Sequence, residues 1–215
     1  MSFPIRARTI ALGAGAVIAL TACASNPVHY YTLVSPATAT ATSTSTTPTT
    51  ARAAAPLAIN VLPVGIPAQL DQQQMVVRSG TGTAVILDNE RWVAPLGDEL
   101  RAALSSALVE QLGARNVTGL PRPSNQTVMS IRTQVRRFDA WPGSMAQFEA
   151  DWVVGVQQDT PGTRISCSTR LNEAAPGNYA DMVRVQQRMI EQFAARIAST
   201  VRSFGNGRPA CPSDS

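Results

Sequence analysis

The sequence predicts an α/β (α+β) fold in which an antiparallel or mixed sheet carries two amphipathic helices packed on one face. Side chains in residues 127–156 alternate between apolar and polar, which is the period of a half-buried strand. Residues 95–112 and 179–203 instead place apolar side chains at steps of three and four, which is the period of a helix on a core. With 44% hydrophobic residues, the chain has enough apolar material for one packed core.

The first predicted strands are short. Residues 28–34 are β-prone, and residues 58–64 form a strand that a proline interrupts, which places it near a sheet edge or a strand end. Residues 75–78 and 84–87 flank the glycine-containing turn 79–83. No GK[ST] sequence and no helix follow those glycines, so they indicate a hairpin and not a phosphate-binding loop.

Two helices are predicted from their apolar stripes and their ends. Pro95 suits the first turn of the first helix, where its missing N–H is not needed, and Gly113 suits its C-terminal stop. Asn178 suits the N-cap of the second helix. The first stripe consists of Leu96, Leu100, Ala103, Leu104, Ala107, Leu108 and Leu112. The second stripe consists of Met182, Val185, Met189, Phe193, Ile197 and Val201.

The alternating segment forms a predicted hairpin around a loop at residues 139–144. Arg132 and Arg136 point outward from its first strand, and Glu149 and Asp151 point outward from its second. Opposite charges across the pair help to fix the register. We therefore expect these four side chains on the sheet face opposite the helices, where they form a suspected interface.

Glu149 and Asp151 also invite a catalytic interpretation as a carboxylate pair. That chemistry needs a cleft and one perturbed pKa. On an exposed strand next to arginines, the structural interpretation is favoured.

A further strand is predicted at residues 164–171, with Cys167 on its apolar face.

The N-terminal leader has the layout of an export signal with a cysteine on the mature side of the cut. Arg6 and Arg8 precede an apolar run, and residues 20–23 read Leu-Thr-Ala-Cys. This resembles a bacterial lipobox, by which Cys23 would receive lipid and become the first mature residue. A plain signal peptide or a membrane helix is the alternative, but the run of about a dozen residues is shorter than the roughly 20 that a span needs.

The composition along the chain predicts a domain organisation. Residues 1–22 form a lipoprotein signal peptide, and residues 23–35 form the lipidated N-terminus with a first short strand. Residues 36–56 are almost entirely Ala, Thr, Ser and Pro, and should be flexible, either as a tether or as a long loop. Residues 57–204 form the main domain, and residues 205–215 an irregular tail.

The cysteines predict a disulfide more readily than a metal site. With Cys23 lipidated, Cys167 and Cys211 remain, and an even pair in an oxidising compartment suggests a bond. Two unpaired thiols are the alternative. No metal is expected, because His29 is the only histidine and no CxxC or HxxxH spacing occurs.

Charge and motif content exclude several classes of function. The leader holds two of the 18 basic residues and no acidic ones, so the mature balance is 16 − 14 = +2. Without a run of like charge, the chain has no nucleic-acid footprint. A single histidine beside the N-terminus nearly excludes a Ser/His/Asp triad, and no dinucleotide or Walker motif occurs. We therefore expect no enzyme and no cofactor, but an anchored binding or assembly module.

An ordered set of motifs resembles the ABC-type transport auxiliary lipoproteins, the family typified by paraquat-inducible protein C. The resemblance covers about residues 20–204. The motifs are the lipobox, His29-Tyr-Tyr-Thr-Leu33, Val61-Leu-Pro-Val64 ahead of Leu70-Asp71, the hairpin at Met75-Val-Val-Arg78, Arg91-Trp92, Pro95-Leu96 and the long C-terminal helix.

That resemblance implies an outer-membrane lipoprotein that faces the periplasm, with diacylglycerol and an N-acyl chain on Cys23. It implies a subunit of an MCE-type intermembrane lipid transport system, which docks the distal end of the envelope-spanning MCE protein and supports membrane integrity. It also implies a ring-like homo-oligomer. Ala24, in place of aspartate, favours the outer membrane by the usual sorting rule. In the family the tyrosine-rich strand belongs to the folded domain, which makes residues 36–56 an inserted loop.

Two alternatives come from other classes of protein. The first is a structural envelope lipoprotein that activates or assembles a cell-wall synthase or an export complex. The second is a periplasmic hydrolase, which the missing nucleophile–base pair disfavours. An adjacent MCE gene would favour the transport role, and an adjacent synthase gene the first alternative.

Overall fold

The computed structural model describes residues 26–36, 57–121, 123, 126–157 and 162–212. The predicted signal peptide, Cys23 and nearly all of the Ala/Thr/Ser/Pro-rich segment therefore lie outside the described residues. The predictions for them stay predictions.

The described residues form two helices and two mixed sheets. Helix α1 is Leu96–Leu112 and helix α2 is Tyr179–Gly205. One sheet has five strands in the order β5-β2-β6-β7-β8, and the other has three in the order β1-β4-β3. The strands are β1 His29–Tyr31, β2 Ala58–Val61, β3 Gln74–Arg78, β4 Ala84–Trp92, β5 Arg115–Asn116, β6 Val128–Trp141, β7 Met145–Val156 and β8 Arg164–Ala174.

This architecture confirms the predicted α+β class with a mixed sheet and two packed helices. The second sheet is a correction to the single sheet that the sequence predicted. β1 pairs with β4 in parallel, and β3 pairs with β4 as the predicted hairpin. The sequence gives no local signal for the β1–β4 pairing, because some sixty residues separate its two strands.

The long hairpin of β6 and β7 shows the predicted alternation with two differences. Trp141 pairs with Met145, so β6 continues through the first half of the predicted loop, and Gly143 turns the chain at a φ of 77°. The buried side chain of Ala140 keeps this extension on the core. The register also shifts between Val135 and Arg137, where a bulge leaves two successive arginines exposed.

The core lies between the two helices and one face of the five-stranded sheet. All six residues of the predicted α2 stripe are buried. The ring of Phe193 lies 4.9 Å from that of Phe148 and 6.2 Å from that of Trp152, centroid to centroid. Trp152 donates its indole N–H to the hydroxyl of Thr169 at 3.0 Å, which satisfies both buried polar groups. These rings join α2 to β7 and β8.

The ends of the helices follow the sequence closely. Asn178 accepts a hydrogen bond from the backbone N–H of Asp181, and the Asp181 carboxylate accepts one from the N–H of Asn178, so a full capping box begins α2. Gly113 ends α1 in the left-handed conformation at a φ of 58°. Pro95 is the residue before α1, with extended backbone, and not the first-turn residue that we expected.

The chain after α2 turns back onto β8. Cys167 and Cys211 are bonded to each other, with their Cα atoms 5.7 Å apart. The hydroxyl of Thr200 donates to the carbonyl of Ala210 at 2.9 Å, and the N–H of Ala210 donates to the hydroxyl of Ser203 at 3.1 Å. The described part of the tail is therefore fixed against the last turns of α2.

We expect Phe193→Ala to lower the free energy of unfolding by about 3–5 kcal/mol, because it empties a ring site that two aromatic neighbours line. Arg188→Ala, on the exposed side of the same helix, should change it by less than about 0.5 kcal/mol. Denaturant titration of both variants measures the difference. Equal stability of the two variants would contradict the placement of Phe193.

We expect the Cys167→Ala/Cys211→Ala double variant to lose up to about 4 kcal/mol of stability, since the bond closes a separation of 44 residues in the unfolded chain. Thiol labelling of the oxidised wild-type protein, unfolded without reductant, should find neither cysteine free. Labelling at both positions would rule the bond out.

Candidate docking surface

The outward face of the five-stranded sheet carries the four charged side chains that the sequence assigned to an interface. The Nε of Arg136 lies 2.8 Å from Oδ2 of Asp151, so one predicted pair across β6 and β7 is present. Glu149 instead pairs with Arg170 of β8, Nε to Oε1 3.6 Å. Arg137 of β6 is the strand partner of Glu149, as an arginine across from an acid was expected, and the ion pair with Arg170 is an additional contact from β8 that the sequence did not predict.

These ion pairs are exposed, with side-chain accessibilities of 61% for Arg136 and 47% for Asp151. Solvent-screened pairs of this kind contribute about 0–1 kcal/mol each, so they add little to stability. Glu149 and Asp151 each have an arginine partner on an open sheet face. That arrangement is typical of structural ion pairs and lacks the enclosed cleft that a catalytic carboxylate pair needs.

The face has more positive than negative charge. Arg132 and Arg164 have no ion-pair partner within the described part of the chain, and both line a shallow depression of about 130 Å³ beside Ser130 and Val153. Asp139 lies near the other end of β6, where it pairs with Arg78 of β3 at 2.8 Å. The two unpaired arginines suit an anionic group on a partner.

A second feature fixes the N-terminal segment to the domain. Glu99, in the first turn of α1, is only 5% exposed. Its Oε2 accepts hydrogen bonds from the hydroxyl of Thr32 and from the backbone N–H of Leu33, both at 2.8 Å. Gln187 of α2 donates to the carbonyl of Thr32 at 3.0 Å. The segment that follows β1 is thus held by both helices, and we call this set of contacts the Glu99 clamp.

Leu33 completes the Glu99 clamp, because its side chain is 1% exposed and belongs to the main core. Beyond it, the hydroxyl of Ser35 donates to Glu191 of α2 at 2.5 Å. A cavity of about 300 Å³ lies between this segment and the facing sides of the two helices, with Ala107 and Ile190 among its lining residues.

Sequence reasoning missed Glu99 and Gln187. An acidic side chain in the first turn of a helix ordinarily complements the helix dipole in solvent, so Glu99 gave no sign of burial. Its partners lie 66 and 67 residues earlier in the chain. One available signal was Leu33. A leucine in the β-prone segment favours a buried site, which indicates that this segment docks on the core.

Polar side chains of β1 and β4 lie next to each other on the small sheet, in which β4 is the central strand. Nδ1 of His29 lies 2.9 Å from Oε1 of Glu90. Burial, followed by a hydrogen bond and the negative charge of Glu90, raises the pKa of Tyr31 to about 12. Tyr31 is therefore protonated throughout the physiological range, and the single histidine has a carboxylate partner.

Within the described ranges, no group of three or more His, Cys, Asp and Glu side chains is placed to hold a metal ion. Among the described helices, none combines the length and the apolar character that crossing a bilayer requires.

The fold and the N-terminal motifs define a family. A sequence model described as ABC-type transport auxiliary lipoprotein component matches residues 31–198. The chain belongs to this family of transport auxiliary lipoproteins, and the resemblance noted from its motifs is confirmed. No curated protein matches the chain.

Two crystal structures share the fold. One, of an uncharacterized protein, has 22% sequence identity and a TM-score of 0.61, and the match covers 82% of this chain and 99% of that one. The other is protein XCC0632 from Xanthomonas campestris, of the family DUF330. It has 14% identity and a TM-score of 0.52, with 71% of this chain and 86% of that chain covered.

We expect Glu99→Ala to lower the free energy of unfolding by about 2–3 kcal/mol, because two hydrogen-bond donors lose a charged acceptor. Glu99→Gln retains an acceptor oxygen and should lose less. Hydrogen exchange at the Leu33 amide should accelerate strongly in the alanine variant. Glu110→Ala, an exposed acid on the same helix, is the control and should leave that amide protected.

Proposed function

We propose that this protein is the outer-membrane lipoprotein subunit of an MCE-type intermembrane lipid transport system. In this role it docks the distal end of the envelope-spanning MCE protein and supports membrane integrity. The observation that carries the proposal is the match of the transport auxiliary lipoprotein family over residues 31–198. The Leu-Thr-Ala-Cys sequence at residues 20–23 supports the anchor, and Ala24 supports the outer membrane as its destination.

The anchor is acyl lipid on Cys23, and the domain faces the periplasm. β1 begins at His29, six residues after Cys23, and it is paired within the fold. Six residues reach at most about 20–22 Å when fully extended. Such an anchor holds the domain close to the lipid surface. That position suits a subunit that binds the distal end of an MCE protein spanning the envelope.

The protein acts by binding and not by catalysis. Both acids that the sequence placed on the open face of the large sheet are held in ion pairs with arginines, and the single histidine pairs with Glu90. Arg132 and Arg164 remain available for an anionic group on the MCE protein or on the next copy in a ring. Charge complementarity of this kind sets orientation and the rate of encounter more than affinity.

The proposal is tested by photo-crosslinking in the intact envelope. A photoreactive amino acid at Ser168, an exposed position of β8 on the outward sheet face, should capture an MCE protein or a second copy of this chain. The same probe at Arg188, on the solvent side of α2, is the control and should capture neither. Capture of a cell-wall synthase or an export component from Ser168 would replace the proposal with that role.

We expect Arg132→Glu/Arg136→Glu to reduce the crosslinking yield about tenfold, which corresponds to roughly 1.4 kcal/mol of interaction free energy. The melting temperature should change little, because both side chains are exposed. Arg188→Glu is the control for Arg136→Glu. Each substitution replaces an arginine that pairs with an acid, Glu173 for Arg188 and Asp151 for Arg136, by a second acid. Arg188→Glu should leave the yield unchanged. An unchanged yield in the double variant would remove this face from the docking surface.

A further inference from the structure

The exposed apolar side chains of this protein are concentrated on the small sheet. In the described residues, six large hydrophobic side chains are exposed, and five belong to β1, β4 or a residue adjoining them. They are Val28, Tyr30, Val85, Ile86 and Val93, and the sixth is Leu120. Clustered exposure of this kind marks an interaction surface, whereas scattered single residues do not.

Strand register places the most exposed of these side chains on one face. Tyr30 is the partner of Arg91, and Arg91 is in turn the partner of Gln74. Ile86 is the partner of Val76, which lies two residues beyond Gln74 on β3. Paired residues share a face, and residues two apart on a strand share a face. On β4, Arg91 and Ile86 are five residues apart, but the register shifts between Gln74 and Val76, and Leu87 next to Ile86 packs against the core. With that shift, Tyr30, Arg91 and Ile86 point to the same side.

That side is the outer one. Met75 and Val77, which alternate with Gln74 and Val76 on β3, are buried in the core, so the outer side faces away from the helices. Tyr30 is 59% exposed and Ile86 is 56% exposed. We call the outer side of Val28, Tyr30, Ile86, Arg91 and Val93 the small-sheet patch.

We propose that the small-sheet patch rests on the phospholipid surface that carries the lipid anchor. This inference depends on the acylation of Cys23 within the proposed function. Val28 lies five residues after Cys23, so it is within about 16–18 Å of the anchored residue however the intervening chain runs. The acyl chains hold Cys23 at the headgroup level, and the patch is the part of the domain that the chain reaches first.

The chemistry of the patch fits a lipid surface. Tyrosine is favoured at membrane interfaces because it has an apolar ring and a polar hydroxyl, and valine and isoleucine provide area to bury among the acyl chains. Arg91 donates through Nε to the carbonyl of Asp88 at 2.9 Å and has no carboxylate partner within the described residues. Its remaining N–H groups suit a phosphate oxygen. The patch adds a second, weaker membrane contact to the covalent one.

The experiment uses the mature lipidated protein in vesicles of phosphatidylethanolamine and phosphatidylglycerol. With Cys23 acylated and Cys167 bonded to Cys211, an introduced cysteine is the only free thiol. A fluorophore on Ile86→Cys should be quenched at least twofold by phospholipid with a shallow spin label. The same fluorophore on Ser168→Cys, on the outward face of the large sheet, should not be quenched.

A second variant separates loss of lipid contact from loss of the fold. Adding Tyr30→Ser and Arg91→Ser to Ile86→Cys should reduce the quenching at least twofold while thermal melting stays cooperative. Equal quenching at positions 86 and 168 would overturn the inference. A label at position 86 that spin-labelled lipid never quenches, and that a second copy of the protein shields from solvent in detergent, would also overturn the inference.

The mass of the N-terminal peptide distinguishes failure of this inference from failure of the proposed function. An unacylated Cys23 in protein purified from the envelope would overturn the anchor, and with it both proposals. An acylated Cys23 without lipid quenching at position 86 would overturn only the membrane contact of the small-sheet patch, and would leave the transport role standing.

Discussion

The buried carboxylate of Glu99 is the contact on which the arrangement of the N-terminal segment depends. It accepts two hydrogen bonds from Thr32 and Leu33, and it places the side chain of Leu33 in the core. A buried carboxylate is costly unless it is fully hydrogen-bonded, so Glu99 favours only the state in which this segment is docked. With the segment in place, β1 lies beside β4 and the small sheet has its third strand.

The two sheets divide the surface of the protein into faces of different character. The outward face of the large sheet is polar, with ordered ion pairs and arginines, and the outer side of the small sheet is apolar around Tyr30 and Ile86. A polar face and an apolar face on one domain can serve two partners at once. The proposed role, in which the domain holds a protein partner above a membrane, would use these two faces separately.

Much of the fold was predictable because its signals are local. A short stretch of sequence is enough to predict each of three features: the alternation in β6 and β7, the apolar stripe and N-cap of α2, and the end of α1 at Gly113. The bulge was also visible in principle, since Arg136 and Arg137 break the alternation. The contacts that were missed are long-range. The parallel pairing of β1 with β4, the clamp at Glu99 and the pairing of Glu149 with Arg170 all join separated segments, and no periodic pattern reports them.

The order of the clamp along the chain has a mechanical consequence. Tension applied to the chain ahead of residue 26 reaches β1 first and the hydrogen bonds of Glu99 next, and from there it passes into the core through Leu33. Residues 37–56 come after that point and lie outside the path of the force. If the domain is attached to a membrane through the chain ahead of residue 26, as proposed, the length of this segment would not set its distance from the attachment point. Insertions or deletions there would then leave that distance unchanged.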